Sequence, residues 1–499
     1  MRARAAWKGC GPPMADVKHP VVLLDIDGLK RELFYNMLSD GRLPAFSRLV
    51  GGGAWVRQGV TVIPSETLPA QTSLFTGMHV RNHGIVSNGW LDRAAQPPDL
   101  IDFAKPGAAA MVYGYRLVGL PTLLLPNGDA RGLINQAMYP GASTIYERAA
   151  LAGLRSTVIF SQISRGAAHW VRPSRADMVY FALSTKARLD FARLDRKTWA
   201  ITEKTLKQHG LPDLLTIYFC GLDAWGHHTT AQGQDIYLER VLEPIMDKLA
   251  RLFESRGWLD TARFVLCSDH GHSWLGRKHR IDEGMLAGAL EGCGRTAAIH
   301  APLPPHADAY INIIGGCAQV HLKSHGAQHW SEPPHLERDL LPAARALAAL
   351  GASGSAQTPG KPRRALALIL VRPSLDQGYF VFRDNQLVPA EKYFWDKLDR
   401  FPNAYQNIYG LNCPRSGDIV LFSDFESGYY FCDEHVPRSH GSLCPDDMSI
   451  PIIFSGPGIP HRIMDRAGII DIAPTILTLL GADPAGCDGR ALRVTDGSA

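Results

Sequence analysis

Three apolar runs, each followed closely by an acidic residue, constrain the fold of this chain more than any other feature. The runs cover residues 20–26, 214–220 and 263–267. Continuous apolar runs of this length are typical of strands buried on both faces of a parallel sheet. In doubly wound sheets ligands bind outside the carboxyl ends of the strands, so polar residues there are candidates for a site. The polar residues in question are Asp27, Asp223, His227, Asp269 and His270.

Each of these polar groups also has an ordinary structural explanation. Asp27 precedes Gly28, and Asp-Gly pairs are common in turns. Asp223 and His227 are four residues apart, which places an oxygen and an imidazole on one face if the segment is helical. A polar surface turn is the alternative there and at the pair that begins with Asp269. The spacing by itself leaves both explanations open.

The order of the predicted elements indicates an α/β fold. Helical patterns near 193–208 and 234–255 alternate with the apolar runs, as expected for a doubly wound, mostly parallel sheet with helices on both faces. A hydrophobic content of 45% and a charged content of 20% allow a large core. The net charge of +4 is small for 499 residues, so we expect no stable nucleic-acid binding.

The chain is predicted to form an α/β core that is interrupted by insertions. Residues 1–16 are expected to be a disordered tail. The core occupies 17–272, with an irregular insertion at 91–142, and it closes with 431–499. Residues 273–430 are interpreted as an inserted α+β cap subdomain that shapes the choice of substrate.

The segment from Pro64 to Gly77 contains the candidate nucleophile. It follows a β-branched run predicted as a strand (59–63), and its second half (71–77) has helical spacing. A hydroxyl at such a junction lies beside free backbone N–H groups and the positive end of the helix dipole, which is a good place to hold a phosphate. Thr67 stands at this junction. Threonines also cap helices generally, and a threonine hydroxyl is a poor nucleophile unless a base or a metal removes its proton.

A polar, turn-rich loop follows this segment and is expected to fold back over the site. It covers residues 78–88. Its last residue, Asn88, is a candidate donor to a phosphoryl oxygen. A solvated loop amide fits the spacing equally well.

Cysteine usage and the N-terminal sequence favour a cytoplasmic protein. The nine cysteines include no CxxC pair, so neither a zinc ribbon nor a thioredoxin motif is indicated, and we expect reduced thiols. The basic segment 1–19 has no apolar core of signal-peptide length. No run approaches the length of a transmembrane helix, so no membrane partner is expected. No feature of the sequence indicates an oligomeric state.

Five motifs in this order resemble the alkaline phosphatase superfamily, and most closely its type I phosphodiesterase/nucleotide pyrophosphatase branch. The motifs are Asp27-Gly28 after a strand, the Thr67 turn, Asp223-x-x-Gly-His227, Ser268-Asp269-His270-Gly271 and a late His440-Gly441. The branch carries its nucleophile in the pattern Thr-Phe-Pro-Asn-His-Tyr-Ser-Leu-x-Thr-Gly. This pattern is matched at Thr67, Pro69, Ser73, Leu74, Thr76 and Gly77. The departures from it, which bear on the substrate, are Leu68, Ala70, Gln71 and Thr72.

The resemblance implies an alkaline phosphatase-like core with two divalent metal ions and no other cofactor. One ion would be held by Asp27, Asp269, His270 and the Thr67 oxygen. The other ion would be held by Asp223, His227 and His440. Oxygen and imidazole ligands without thiolate favour zinc, and manganese or iron would also fit.

The resemblance also implies hydrolysis of phosphodiester or pyrophosphate bonds in small, nucleotide-like substrates through a phospho-threonine intermediate. Thr67 would attack in line, and water activated at the second metal would hydrolyse the intermediate. Asn88 and the Leu68 N–H would stabilise the remaining charge. A supporting role is favoured over a direct one for four further residues near the site, which are Asp25, Glu66, His228 and His272.

Several other functions share parts of this residue pattern. A phosphonate hydrolase or a phosphomonoesterase of the same superfamily is the main alternative, because these enzymes share the threonine and the six ligands. A sulfatase is disfavoured because its Cys or Ser nucleophile in a C/S-x-P-x-R context is missing, and a phosphoglycerate mutase is disfavoured because it uses a serine and a different ligand set. A metal-stabilised scaffold without turnover is disfavoured because the nucleophile and all six ligands are present.

Overall fold

The computed structural model of the protein describes most of the chain. The described residues are 19–95, 98–102, 113, 115–118, 123–126, 133–180, 190–228, 233–273, 279–299, 303–350, 364–431 and 440–496. The predicted disordered tail (1–16) lies outside them, and so does much of the predicted insertion at 91–142.

The strands fall into an N-terminal and a C-terminal group. The first group comprises β1 (Val21–Ile26), β2 (Ala54–Val60), β3 (Gly89–Asp92), β4 (Asp99–Asp102), β5 (Tyr115–Val118), β6 (Leu123–Pro126), β7 (Ser156–Ile159), β8 (His169–Val171), β9 (Leu214–Phe219), β10 (Arg263–Cys267) and β11 (His279–Ile281). The second group comprises β12 (Ala297–Ala298), β13 (Ala309–Ile314), β14 (Cys317–Leu322), β15 (Leu366–Ser374), β16 (Gly378–Arg383), β17 (Gln386–Pro389), β18 (Ile419–Ser423), β19 (Tyr429–Phe431), β20 (Ser449–Ile450), β21 (Ile452–Ser455) and β22 (Arg462–Gly468).

Helices connect these strands throughout the described chain. They are α1 (Arg31–Ser39), α2 (Pro44–Phe46), α3 (Thr67–Thr76), α4 (Val80–His83), α5 (Leu133–Ala137), α6 (Ile145–Leu151), α7 (Ala192–His209), α8 (Gly221–Gly226), α9 (Gly233–Tyr237), α10 (Glu243–Ser255), α11 (Glu283–Glu291), α12 (Leu341–Ala348), α13 (Ala390–Phe394), α14 (Ala404–Leu411), α15 (Pro445–Met448) and α16 (Ile472–Leu479). Short π-helical segments at Ser47–Gly51, Leu238–Leu242 and Leu336–Leu340 adjoin α2, α9 and α12, and a 3₁₀ turn at Ile469–Asp471 precedes α16.

A large, mostly parallel sheet forms the centre of the molecule. Its strand order is β20-β2-β21-β10-β1-β9-β7-β8, and β22 pairs with β2. Strands β10, β1, β9, β7 and β8 run parallel to one another, and the antiparallel pairs involve β20 and β21. Alternate residues of β1 enter two different apolar cores, Val21 and Leu23 on one face and Val22 and Leu24 on the other. Helices α3 and α16 cover the first face and α1, α7 and α10 cover the second, which confirms the predicted doubly wound α/β fold.

The register of the central strands brings the predicted site residues together. Asp25 of β1 is paired with Cys267 of β10 on one side and with Tyr218 of β9 on the other. These three strands therefore end at the same edge of the sheet. The residues that follow them, including Asp27 and Asp269, meet at that edge because parallel neighbours share one direction.

Two element boundaries differ from the sequence prediction around the candidate nucleophile. Strand β2 ends at Val60 rather than at residue 63, and α3 begins at Thr67 rather than at residue 71. The helix starts early because Pro69 is tolerated in a first turn, where its missing N–H has no intrahelical partner to lose. The helix ends at Gly77, as predicted, with that glycine in the left-handed region at φ 68°.

A second sheet is built from the strands between residues 297 and 423. Its order is β12-β13-β14-β18-β15-β16-β17, with seven strands. It contacts the core at the loop after α4, where the Gln319 side-chain N–H donates to the Val86 carbonyl at 3.1 Å. The Gly316 N–H also donates to the His440 carbonyl at 2.6 Å. The predicted cap, at 273–430, contains this sheet, and the predicted domain boundaries themselves stay a prediction.

Two properties of the described residues bear on the sequence predictions about thiols and membranes. The seven cysteines there are all free. Among the described helices, none combines the length and the apolar composition needed to cross a membrane.

Candidate active site

Thr67 occupies the N-terminal position of α3 and is the partly exposed residue of that helix. Every other residue of α3 is buried. The helix is fixed at this end by the Ala70 N–H, which donates to the Glu66 carbonyl at 3.0 Å. The Thr67 hydroxyl oxygen lies 3.2 Å from His270 Nε2. The fold thus presents one hydroxyl at a helix N-terminus, against an imidazole that follows β10.

The first predicted ligand group is assembled at the ends of β1 and β10. Ligand-capable atoms of Asp27, Asp269 and His270 all lie within 4.8 Å of one another. His270 Nε2 is 3.4 Å from Asp27 Oδ1 and 3.5 Å from Asp269 Oδ2. The other carboxylate oxygens are held from behind, since the Tyr218 hydroxyl donates to Asp27 Oδ2 and the His270 N–H donates to Asp269 Oδ1. One oxygen of each carboxylate is therefore left to face His270.

The second predicted group forms around Asp223, which lies on α8 directly after β9. His227 Nε2 lies 3.2 Å from Asp223 Oδ2, as the four-residue spacing predicts. His440 Nε2 lies 3.7 Å from Asp223 Oδ1. His272, for which no ligand role was predicted, also lies beside this carboxylate. Its Nε2 is 3.9 Å from Asp223 Oδ1. The structure thus brings all three predicted residues to one place and adds a fourth.

His440 joins the two groups. Its ring stacks on the ring of His270 with the centroids 3.6 Å apart and an interplanar angle of 17°. Its Nδ1 is 2.9 Å from the Ser65 carbonyl, and His270 Nδ1 is 2.9 Å from the Gly271 carbonyl. Carbonyl oxygens only accept, so both rings carry their proton on Nδ1 and keep Nε2 for a ligand.

The donor set fits divalent metal ions. Three buried carboxylate oxygens, Asp27 Oδ1, Asp223 Oδ1 and Asp269 Oδ2, accept no hydrogen bond from any described residue. Buried oxygens of this kind are costly unless a cation satisfies them. The two groups also approach closely because Gly28 has no side chain, since a Cβ there would lie 2.8 Å from Asp223 Oδ1. Oxygen and imidazole donors without thiolate are the ligands that zinc, manganese and iron accept.

Electrostatics support the same conclusion. Burial, together with the neighbouring Asp269 and Asp223, raises the pKa of Asp27 well above its usual range. Burial also raises the pKa of Asp269. Burial works against ionisation of Asp223 as well, but His227, His440 and His270 hold the pKa of that carboxyl well below its usual range. A divalent cation held by these carboxylates would offset both the cost of burial and the repulsion that raise the pKa values of Asp27 and Asp269.

The side chain of Asn88 is hydrogen-bonded to the backbone of α3 next to Thr67. Its Oδ1 accepts a hydrogen bond from the Leu68 N–H at 3.0 Å. The Leu68 N–H therefore holds Asn88 in place in this structure, and its charge-stabilising role stays a prediction. The side-chain NH₂ of Asn88 is left as the donor for an anionic oxygen.

Sequence reasoning missed how the neighbours of the site support it. Glu66 Oε2 accepts hydrogen bonds from the Ser87 hydroxyl at 2.9 Å and from the Asn88 N–H at 3.0 Å. Asp25 Oδ2 accepts a hydrogen bond from the Gln71 side chain at 2.8 Å. The ring of His228 stacks on Phe191 with the centroids 5.3 Å apart. The sequence carried no signal for these partners, and the supporting roles of Glu66, Asp25 and His228 stay predictions.

The sequence of this chain matches a known protein family over most of its length. A sequence model of the type I phosphodiesterase/nucleotide pyrophosphatase family matches residues 21–442. The protein belongs to this family. The match confirms the resemblance inferred from the motifs, and it extends through the second sheet of this phosphodiesterase-family chain.

Curated relatives of this phosphodiesterase-family protein match over a short segment. Ectonucleotide pyrophosphatase/phosphodiesterase family member 1 of Rattus norvegicus and that of Homo sapiens are each 32% identical over 73 residues. This segment is 15% of the chain and 8% of either relative. The match therefore spans less than a tenth of the relatives' length.

Solved structures of the family share the fold. Murine ectonucleotide pyrophosphatase/phosphodiesterase 5 superposes with a TM-score of 0.57 at 14% identity, over 94% of this chain and 97% of that one. The same murine protein as an inactive Thr-to-Ala variant in complex with AMP gives the same values. The human counterpart gives a TM-score of 0.59 at 15% identity, with the same coverage.

A cavity of about 1200 Å³ lies elsewhere, beside the second sheet. Its described lining includes the cations Arg383, Lys397 and Arg400 and the aromatic residues Phe401 and Phe425. None of the predicted site residues is part of that lining. This cavity is therefore separate from the carboxylate and imidazole groups at the sheet edge.

Proposed function

We propose that this protein is a metal-dependent hydrolase that cleaves phosphodiester or pyrophosphate bonds of nucleotide-like substrates through a phospho-threonine intermediate. Family membership supports hydrolysis of this bond type. The observation that carries the finer proposal is the Thr67 hydroxyl at a helix N-terminus, 3.2 Å from His270 Nε2 and beside both ligand groups. The AMP bound to the inactive murine relative supports a nucleotide-like substrate.

The residues of the chain have separate tasks in this proposal. Thr67 attacks phosphorus in line and expels the leaving group, and water then hydrolyses the phospho-threonine and restores the hydroxyl. The NH₂ group of Asn88 donates to the phosphoryl oxygens, and the positive end of the α3 helix dipole stabilises their charge.

Two divalent ions fit the donor set of the described residues. One would be held by Asp27, Asp269, His270 and Thr67, and the other by the group around Asp223, which includes His227 and His440. Bound zinc supplies Lewis acidity that favours the threonine alkoxide and neutralises charge on the phosphoryl group. We propose zinc as the metal because imidazole nitrogens and carboxylates both suit it.

The test is a comparison of substrates by the chelated and metal-reconstituted protein. Hydrolysis of bis-p-nitrophenyl phosphate and of the p-nitrophenyl ester of thymidine 5′-phosphate is measured beside p-nitrophenyl phosphate and phosphonoacetate. We expect metal-dependent turnover with the two diesters preferred. A preference for the monoester or for phosphonoacetate would overturn the diesterase proposal in favour of the corresponding superfamily activity.

The nucleophile is tested by Thr67→Ala. We expect kcat on the diester to fall by at least about a thousandfold, as for other nucleophile deletions. The matched control is Thr478→Ala, which removes a hydroxyl that donates to the Pro474 carbonyl within α16. Unchanged turnover by Thr67→Ala would rule out the assignment.

A further inference from the structure

His272 lies where a ligand of the second metal would lie, although the family resemblance gives this position no role. Ligand-capable atoms of Asp223, His227 and His272 all lie within 4.8 Å of one another. The rings of His227 and His272 are 4.9 Å apart at an angle of 71°, and the ring of His440 lies 5.9 Å from that of His272. Three imidazoles thus surround one carboxylate.

The backbone on both sides of His272 is fixed by a single aspartate. The Gly271 N–H donates to the Asp447 carbonyl at 2.8 Å, and the Ser273 N–H donates to Asp447 Oδ1 at 2.7 Å. Asp447 is itself buried and accepts a hydrogen bond from the Ser442 N–H at 3.1 Å. The imidazole is therefore carried on a backbone that the closing part of the core holds in place.

Two glycines leave room for the ring and its backbone. A Cβ on Gly226 would lie 3.1 Å from Cδ2 and 3.2 Å from Nε2 of His272. A Cβ on Gly271 would lie 1.9 Å from the Asp446 carbonyl oxygen, so this close backbone approach requires glycine. His272 is 4% exposed, and its position is set by packing before any ion binds.

We propose that His272 is a direct protein ligand of the second metal ion, together with Asp223, His227 and His440. The inference rests on the metal dependence in the proposed function. It changes the donor set from two imidazoles and a carboxylate to three imidazoles and a carboxylate. A nitrogen-rich set of this kind selects zinc or cobalt over magnesium and manganese at this position.

The test uses the full chain after chelation, with Co²⁺ as a spectroscopic probe and Zn²⁺ as the measured ligand. Zinc affinity is determined by competition with a chromogenic chelator, and the visible bands of the cobalt protein report its ligand set. His272→Ala and His272→Gln are both measured. His272→Gln keeps more of the side-chain volume, so the ligand role can still be tested if His272→Ala does not fold. His461→Ala is the matched control, because this imidazole belongs to neither ligand group and its Nδ1 lies 3.1 Å from the Gly53 carbonyl.

We expect the wild-type protein and the control to bind two equivalents of zinc. Both His272 variants are expected to bind the second equivalent at least about tenfold more weakly and to shift the visible bands of the second cobalt ion. A weaker second equivalent with unchanged bands would overturn the inference, because a residue that only orients a ligand changes affinity without changing the ligand set. Unchanged affinity and bands in both variants would overturn it as well.

The inference and the proposed function fail in different ways. If the wild-type protein bound no zinc, both would be rejected. If it bound two equivalents and the His272 variants did likewise with unchanged spectra, only the inference would be rejected. If zinc binding required His272 but diesters were not hydrolysed, the inference would stand and the proposed function would be rejected.

Discussion

Glu66 Oε2 accepts a hydrogen bond from the backbone N–H of Asn88 at 3.0 Å. This contact joins the residue that precedes the proposed nucleophile to the residue that carries the proposed phosphate-binding amide. A second hydrogen bond links the same two segments, because Asn88 Oδ1 accepts from the Leu68 N–H at 3.0 Å. A buried carboxyl thus couples the start of α3 to the loop that crosses it.

Replacement of Glu66 is expected to affect turnover more than substrate affinity. Glu66→Ala leaves the Ser87 hydroxyl and the Asn88 N–H without an acceptor, which costs about 1–3 kcal/mol for each buried group left unsatisfied. We expect kcat on a diester to fall about tenfold or more, because Asn88 loses its fixed position. Glu66→Gln keeps an acceptor oxygen and should restore most of the turnover. Equal losses in both variants would contradict this account.

Removal of metal should lower the stability of the protein. Burial and the nearby carboxylates raise the pKa of Asp27, so its ionised carboxylate is unfavourable in the folded protein without a metal ion. Zinc at a hundred times its Kd is expected to add about 2.7 kcal/mol to the free energy of unfolding. Differential scanning calorimetry with and without a chelator measures the effect.

Variants of two aspartates at the end of β1 test which of them binds the metal ion. Asp27→Ala should abolish the zinc response of the site that contains His270. Asp25→Asn should retain it, because Asp25 accepts from the Gln71 side chain at 2.8 Å and an asparagine oxygen can do the same. A lost response in Asp25→Asn would show that Asp25 is itself a ligand.

Acid should destabilise the protein through His83. The Ile85 N–H donates to His83 Nδ1 at 3.1 Å, and Nε2 lies 2.9 Å from the Ser73 hydroxyl oxygen. Burial lowers the pKa of His83 from 6.5 to about 3. Between these values the unfolded chain binds more protons than the folded one, so stability falls as the pH drops, by up to about 1.4 kcal/mol per pH unit.

The contribution of His83 is isolated by a difference between two proteins. Free energies of unfolding of the wild type and of His83→Gln are measured in urea between pH 6.5 and pH 4. The stability of the wild type relative to the variant should decrease as the pH drops. Burial raises the pKa of Glu66 to about 8, and this carboxyl acts with the opposite sign but equally in both proteins. Parallel curves would contradict the prediction.

The attachment of the second sheet should depend on Asp418. This buried carboxylate pairs with Arg93, which follows β3, and lies 3.4 Å from Arg372 Nη2 in β15. Asp418→Asn leaves two guanidinium groups without a counter-charge, and loss of one member of a buried pair costs about 3–5 kcal/mol. Urea unfolding should show a correspondingly lower midpoint.

An exposed ion pair of the same sheet serves as the control. Arg364 Nη2 lies 3.0 Å from Asp384 Oδ1, with both side chains more than half exposed. Asp384→Asn should leave the unfolding midpoint unchanged, because water and salt screen such pairs. A similar loss in both variants would show that burial does not decide the effect.

The sequence by itself determined the α/β fold and which three carboxylates meet at one edge of the central sheet. Asp27, Asp223 and Asp269 follow buried strands, and the apolar runs that make those strands are local patterns. Parallel strands with one direction end at one edge, so the local patterns fix which residues meet. Thr67 was found in the same way, from a strand-to-helix junction, although the first turn of the helix was not predicted.

Only the tertiary structure decided that His272 lies beside Asp223 and how the loop residues are held. His272 approaches Asp223, and Glu66 holds Asn88, through contacts between segments with no shared periodicity. Such contacts depend on backbone paths that Gly226 and Gly271 permit and on anchors such as Asp447. Periodicity reports which face of an element is buried, but it does not report which neighbour a side chain meets across the folded core, so these relationships required the structure.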